Sequence, residues 1–509
     1  MNIDEFKQHQ RNSGCDFEIV GPGDPGYDKD RVIANSRFNY FPCLIAYCEN
    51  AEHVSCCINY CRSCDVPFRV RSGGHQHEGM CSANEVLLID LSKMNAIEYV
   101  GEDKALAWIP TGKKLHDVYE ELESYSRIIP GGSCDSVNVG GLTQGGGWGL
   151  YIRELGLTCD NLVEVEMVLA DGQTVKASAN EPYNDLFWAV RGGGGGNFGV
   201  ATRFLFQLTT LKGKLTTFRM YWSKDYMLPI AQVWMRESCR FPESMSTFCR
   251  LKTVQNATDE AQAVLVVGIY FGPKENAREI LQPFYEVTPP TDPEYTEHTY
   301  SETQTRDSVP LEPLHSRQRA KLAVLMQPAG PAAPKETCDG PHPHKVSSTF
   351  PLDDNTNVLA EKIVAFLMSQ IPPDTASTYI SLHGFGGAVK REPIGGRAFP
   401  YKEKEFMLQF QAWWSDPEDP HTEDYINWIE SFRQSLEGHI EGAFINFPDK
   451  LLVPDPNDPV DRVRLLQYYY AYNLAQLRVI KSKYDPGNQF SFGMSIPLAP
   501  PRSMAPPAT

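Results

Sequence analysis

Three glycine-rich stretches constrain this chain more than any other feature. The first is Arg71-Ser72-Gly73-Gly74-His75, placed directly after a predicted strand at 67–71. The second runs from Pro130-Gly131-Gly132-Ser133-Cys134 through Gly140 and Gly141 to Gly145, Gly147 and Gly149. The third spans Gly192 to Gly199. Glycine lets backbone approach a flat or charged group closely. Successive N–H groups after a strand make a nest for an anion such as a pyrophosphate. The third stretch contains a literal GxGxxG at Gly194, Gly196 and Gly199. A nicotinamide-type site needs a strand before that motif and a helix after it. Here a predicted helix (185–191) precedes it and a predicted strand (204–208) follows, so that reading is rejected. No GxxxxGK[ST] occurs, which removes a P-loop.

The rest of the chain divides by pattern. Residues 1–210 alternate short strands and helices, including a helix near 51–64 and strands at 86–90 and 161–170. The middle carries long strand-like runs at 215–222, 263–271, 378–383 and 406–413, with helices at 276–286, 357–369 and 424–436. This predicts an α+β protein whose second part is built on a large antiparallel sheet covered by helices. Residues 288–350 read as surface loops. Near the C-terminus, 468–472 reads as a strand, 473–484 as a helix and the last stretch as disordered.

Charge and cysteine usage narrow the partners. The net charge of −17 disfavours nucleic acid and anionic lipid. No apolar run approaches the ~18 residues of a membrane span, and no basic-then-apolar leader opens the chain, so a cytoplasmic location is expected. Thirteen cysteines then read as mostly free thiols. Cys57, Cys61 and Cys64 share a helical stripe with Val54 and Ile58, which predicts core packing rather than a metal site. His75/His77 and His342/His344 form HxH pairs without a clear third ligand, so no metal is expected.

At this point the motifs resemble a known family. RSGGH (71–75), Gly79, IDLS (89–92), PGGSC (130–134), VGG…GGGWG (139–149), GLTCDN (156–161), DLFWAVRGGGGGNFG (185–199) and YDPGNQF (484–490) resemble the berberine bridge enzyme-like flavoprotein oxidases. These belong to the vanillyl-alcohol oxidase superfamily, with a PCMH-type FAD domain. The resemblance implies a discontinuous FAD-binding domain (1–210 and 457–509) and a substrate domain (211–456). It implies FAD bonded covalently to His75 through the flavin 8α-methyl and to Cys134 through flavin C6. Arg71, Ser72, Gly73, Gly74, Gly79, Gly131, Gly132, Gly140, Gly141, Gly145, Gly147, Gly149, Asp160, Asn161, Asn197, Gly199 and Asn488 would complete the cofactor-binding set. Val137 would border the face where O2 meets the flavin, which favours an oxidase over a dehydrogenase.

The resemblance also places the family's active-site tyrosine at Tyr469, with Tyr470 as the fallback. If 468–472 is a strand, Tyr469 points opposite to Tyr468, Tyr470 and Tyr472. Gln409 stands where alkaloid-cyclising members carry a glutamate base. Glutamine cannot act as a base, so alcohol oxidation to a carbonyl with O2 reduced to H2O2 is expected, rather than ring closure. An imine-, ring- or double-bond-forming reaction and a dehydrogenase with another acceptor are the rivals. The expected partners are a small-molecule substrate and O2, in a monomer or homodimer.

Overall fold

The computed structural model describes residues 1–255, 260–300, 341–352, 356–373 and 376–500. Three larger sheets organise it. In the first, Leu44–Tyr47, Leu87–Asp90 and Phe68–Arg71 run parallel, with Ile19–Val20 antiparallel at the edge. Parallel neighbours need a crossover, and helix Ala51–Cys64 supplies one. Asn50 caps its start by accepting from the His53 N–H. Val54, Cys57, Ile58 and Cys61 are buried on this helix as the stripe predicts, but Cys64 is exposed. The stripe ends one turn early because Asp65, at φ +50°, turns the chain away.

The second sheet is antiparallel: Glu98–Val100, Leu106–Pro110, Val200–Gln207, Leu162–Val168 and Thr174–Ser178. Its alternate residues Val165, Met167, Phe204 and Phe206 pack in a core with Val118, Leu122 and Leu186 from flanking helices. Helix Asn184–Val190 precedes the five glycines and strand Val200–Gln207 follows them, the order that excludes a Rossmann site.

The third sheet has eight antiparallel strands. Its order is Thr291–Tyr300, Gly213–Trp222, Val264–Tyr270, Met245–Lys252, Ala376–Gly384, Phe406–Trp414, His344–Pro351 and Ile440–Glu441. One face is apolar. Ile380, Leu382, Leu408 and Phe410 pack against helices Met227–Glu237, Thr356–Ser369 and Thr422–Ser435. The alternate residues Ser381, His383, Gln409 and Gln411 face the other way and are also buried, because the glycine-rich part covers them. Burying polar groups requires that they find hydrogen bonds.

Three sequence expectations are corrected. Residues 276–286 form two short helices, Lys274–Ile280 and Gln282–Val287, because Pro283 begins a new first turn. Strands Thr291–Tyr300 and His344–Pro351 occupy both ends of the expected loop region 288–350. The stretch between, 301–340, and the expected disordered tail from 501 lie outside the described residues. Residues 468–470 are helical, not extended. Asp458 caps helix Pro459–Tyr470 by accepting from the Val460 and Asp461 N–H groups, and Leu465, Leu466, Tyr469 and Tyr470 bury one helical face. The run of tyrosines favours strands by propensity, but the 3–4 spacing of this buried face prevails.

Candidate active site

A cavity of about 350 Å³ lies between the glycine loops and the third sheet. Ser72, Gly73, Gly74 and His75 line it directly after the parallel strand Phe68–Arg71. Gly132, Cys134 and Val137 enter from a second loop. Gly140, Gly141 and Gly145 come from helix Val139–Gly145, and Asn197 and Gly199 from the five-glycine loop. Gly74 and Gly194 sit at φ +75° and +83°, a backbone region that admits glycine most readily.

The remaining predicted cofactor residues do not line this cavity. Arg71 is buried in an ion pair with Asp90 at 2.5 Å. Asp160 pairs with buried Arg397, and Asn161 donates to the carbonyls of Leu155 and Leu157. Asn488, at φ +51°, shapes a turn near the C-terminus. Gly79, Gly131, Gly147 and Gly149 serve close packing. A Cβ on Gly149 would lie 1.7 Å from the Gly131 carbonyl oxygen, one on Gly147 2.2 Å from Thr158, and one on Gly79 2.6 Å from Phe38.

The residues that do line the cavity fit a flavin dinucleotide. His75 and Cys134 face the same space from two separate loops, and the Cys134 thiol is part-exposed. The ring nitrogen Nε2 of His75 lies 3.0 Å from the Ser136 hydroxyl. Gly141 opens onto free space, where an added Cβ would meet no atom within 4 Å. The buried Oδ1 of Asn138 has no hydrogen-bond partner in the protein, an acceptor left for a bound group.

The opposite wall is a hydrogen-bonded row on adjacent strands. Tyr379 and His383 come from Ala376–Gly384, and Gln409, Gln411 and Trp413 from Phe406–Trp414. Trp413 Nε1 donates to Gln411 Oε1 at 2.8 Å, and the Tyr379 hydroxyl donates to the same oxygen at 3.0 Å. Gln411 Nε2 donates to Gln409 Oε1 at 2.6 Å. His383 Nε2 meets that same Gln409 oxygen at 2.9 Å. Burial, with the nearby Arg250 guanidinium, pushes His383 down to about 3, so its ring is neutral. Among the described residues lining the cavity there is no carboxylate.

The two HxH pairs, far apart in sequence, converge here. His77 Nδ1 lies 2.9 Å from His344 Nε2, and His344 Nδ1 lies 2.9 Å from the His342 carbonyl oxygen. Buried Asn35 ties them together by donating to the carbonyls of His77 and His344. Burial, then His75 and Lys345, push His77 down to about 3. No group of three or more His, Cys, Asp or Glu poised for a metal occurs among the described residues.

The helical correction changes the tyrosines. Tyr469 does not line the cavity. Its buried hydroxyl donates to the Asp449 carbonyl at 3.0 Å and accepts from the Asp449 N–H at 2.8 Å. Burial raises it well above an ordinary phenol. Tyr470 lines the cavity, but its hydroxyl donates to the Gly193 carbonyl at 2.8 Å and burial raises it too. His383, Gln411, Tyr379 and Trp413 were missed by sequence reasoning. Their signal was a polar residue at every second position of two strongly apolar strands.

Comparison with known proteins agrees with this architecture. Residues 42–178 match the FAD binding domain family and residues 443–497 the berberine and berberine-like family. The chain is 30% identical over 485 residues to the FAD-linked oxidoreductase YgaK of Bacillus subtilis (strain 168), covering 94% of this chain and 96% of that one. Among solved structures, a chitooligosaccharide oxidase superposes with a TM-score of 0.79 at 22% identity, covering 97% of this chain and 100% of that one. The glucooligosaccharide oxidase of Acremonium strictum, whose structure reveals a novel flavinylation, gives 0.78 at 22%, covering 97% and 98%. At that identity the structural likeness establishes the fold alone.

Proposed function

The chain belongs to the berberine bridge enzyme-like family of FAD-linked oxidoreductases, and from that premise we propose that it is an oxidase with FAD bonded to both His75 and Cys134, converting an alcohol to a carbonyl. The observation that carries this reading is the convergence of His75 and Cys134, from different loops, on one cavity. When bound, FAD supplies the acceptor for the hydride and passes both electrons to O2, which leaves as H2O2. The backbone of the Ser72–Gly74 and Gly194–Gly196 loops would hold the phosphates, since such loops aim N–H groups at anions. Asn138 Oδ1 offers a buried acceptor for a hydroxyl or N–H of the bound group rather than for its phosphates. Val137 lines the cavity with a short side chain near Cys134.

The sheet wall would hold the substrate. Tyr379, Gln409, Gln411 and Trp413 present an aromatic and amide surface of the kind that grips sugar hydroxyls and ring faces. The structural neighbours named as oligosaccharide oxidases support a sugar-like alcohol. Gln409, whose Oε1 already accepts two hydrogen bonds, orients rather than deprotonates. Tyr469 leaves the mechanism because its hydroxyl is held by Asp449 away from the cavity.

The test is an intact mass and visible spectrum of acid-denatured protein. One FAD of added mass, with colour retained in His75→Ala and in Cys134→Ala but lost in the double variant, supports two links. A colourless chain of unmodified mass, expressed with ample flavin, sinks the reading. Peroxide release from glucose, cellobiose, xylobiose and chitobiose, compared with reduction of an artificial dye, then tests the alcohol and the oxidant together.

A further inference from the structure

We propose that His383 is the base that takes the substrate's hydroxyl proton, with Nδ1 as the accepting atom. The inference rests on the alcohol-oxidation reading above and assigns the proton that reading leaves without an acceptor.

An indole sets the direction of every bond in the row. Trp Nε1–H can only donate, so the Gln411 atom it meets must be oxygen. The other end of the Gln411 amide is then nitrogen, and it donates to Gln409. The Gln409 atom that receives it is therefore oxygen. His383 Nε2 shares that oxygen, so Nε2 must carry its proton. A neutral imidazole has one N–H. Nδ1 is thus the bare nitrogen, and it has no hydrogen-bond partner in the protein. A buried acceptor without a partner is uncommon and calls for an explanation. His383 lines the cavity with Nδ1 covered, and the explanation we propose is a donor that arrives with the substrate and displaces that cover.

The carboxylates, the tyrosines and the His77–His344 pair are occupied or absent. No carboxylate lines the cavity among the described residues. The Tyr469 and Tyr470 hydroxyls are each committed to a backbone carbonyl. Within the second histidine cluster, His344 Nδ1 meets the carbonyl of His342, which can only accept. His344 Nε2 is then the acceptor for His77 Nδ1. That chain is a fixed relay beside His75, on a different strand from Gln409. His383 instead stands beside Trp148, with ring centroids 4.1 Å apart, on the wall where the glycine helix and the sheet meet.

In the reaction the substrate C–H bond breaks and its hydrogen leaves with the electron pair to FAD, the oxidant. The O–H proton passes to His383 Nδ1 and the C=O bond forms. The proton then leaves to water as the carbonyl product departs. Burial and Arg250 hold the ring neutral before substrate binds, which leaves the lone pair free but makes it a weak base, so it takes the proton only as the O–H acidifies. As hydride leaves the carbon, the attached O–H becomes far more acidic, which drives its proton onto the ring at the moment of transfer. The groups facing the ring are Arg250 from Met245–Lys252, Gln409 from Phe406–Trp414, Trp148 from the glycine loop, and Phe248 and Phe447. Of these only Arg250 is charged.

His383→Gln tests the assignment, because a glutamine amide can keep the Nε2–H bond to Gln409 while removing the Nδ1 lone pair. With cellobiose or whichever of the four sugars releases most peroxide, kcat is expected to fall about 10²-fold or more. Covalent FAD and the melting temperature should be retained, and KM should change little. The wild-type kcat/KM should be flat from about pH 5 to 9, whereas a phenol base would make it climb toward alkaline pH. Turnover of the variant within about threefold of wild type overturns the inference. Independently of substrate, ¹⁵N spectra of histidine-labelled wild type should show one ring, missing from His383→Gln, as the neutral Nε2–H tautomer from about pH 5 to 8. A protonated ring or the Nδ1–H tautomer overturns the inference, the His383 signal being assigned from His383→Asn should His383→Gln fail to fold. Wild type inactive on every alcohol overturns the functional reading and this inference with it. Comparable activity in both proteins overturns the inference alone.

Discussion

Trp413 fixes a protonation state three side chains along the row, because an indole nitrogen has only one role in a hydrogen bond. Trp413→Phe should therefore let the Gln411 amide turn over, mix the two His383 tautomers, and lower kcat about tenfold. The same ¹⁵N spectra report the mixing directly, and a single unchanged tautomer would contradict the assignment. Tyr469→Phe makes the opposite case. It removes two hydrogen bonds to the Asp449 backbone and should cost about 1–2 kcal/mol of stability. Its kcat should change less than about threefold, as denaturant unfolding and peroxide assays would show. Residue roles were only partly legible in the sequence. Gln409 could be picked out because the family resemblance sets it where alkaloid-cyclising members would carry a glutamate. His383 could not, since a lone histidine on an apolar strand reads as core. Only the register that sets Ser381 opposite Gln409 brings its ring to the cavity.

Glycines in the same loops do two different jobs. Gly149 and Gly131 allow backbones to cross, whereas Gly141 opens onto the cavity. Gly149→Ala should give no folded, flavinylated protein, because the new Cβ would overlap the Gly131 carbonyl. Gly141→Ala meets nothing within 4 Å and lies inside a helix, so the flavin-free chain should gain roughly 0.5–1 kcal/mol. Its flavin loading should fall, because the methyl enters the cofactor's space. Equal loading of Gly141→Ala and wild type would contradict the placement. From sequence both positions read as cofactor-binding. Clustering reports that backbone comes close to something, and not whether that something is a ligand or more backbone. The helix at 459–470 was lost for a related reason: the tyrosine run masked a buried face whose members sit three and four apart.

At the scale of the molecule, one lysine joins parts distant in sequence. Lys345, fully buried on His344–Pro351, pairs with Glu78 beyond the histidine loop at 2.6 Å and with Asp449 after the sheet. Burial opposes these charges, but Lys345 brings the Asp449 carboxyl below its usual value, and the two acids raise Lys345. A depressed acid contributes stability above its unfolded value that is lost as pH falls through its folded one. A raised lysine contributes stability below its unfolded value that is lost as pH climbs through its folded one. The ion cluster therefore supports the fold across the neutral range and fails at both extremes. Lys345→Met strands the buried Asp449 carboxylate and leaves buried Glu78 with the longer pairs to Arg37 and Lys450, and should cost about 3–5 kcal/mol near pH 7. The deficit should shrink below about pH 4, where carboxylates take up protons. A deficit independent of pH in chemical unfolding would show that packing, not charge, is what Lys345 provides. The division into a glycine-rich part and a sheet part was visible in the pattern of runs. This tie between them was not, because its members lie hundreds of residues apart.

The loops bearing His75 and Cys134 hang from different sheets and lie about 60 residues apart in the chain. In the proposed holoenzyme the flavin is therefore also a covalent cross-link, in a protein with no disulfide among its described residues. By the loop-entropy relation for disulfides, closing such a loop takes about 4 kcal/mol of freedom from the unfolded chain. Reducing agents would not open it. A protease cut anywhere between the two attachment points would leave fragments that still migrate as one yellow band on a denaturing, reducing gel, and that separate once either anchor is mutated.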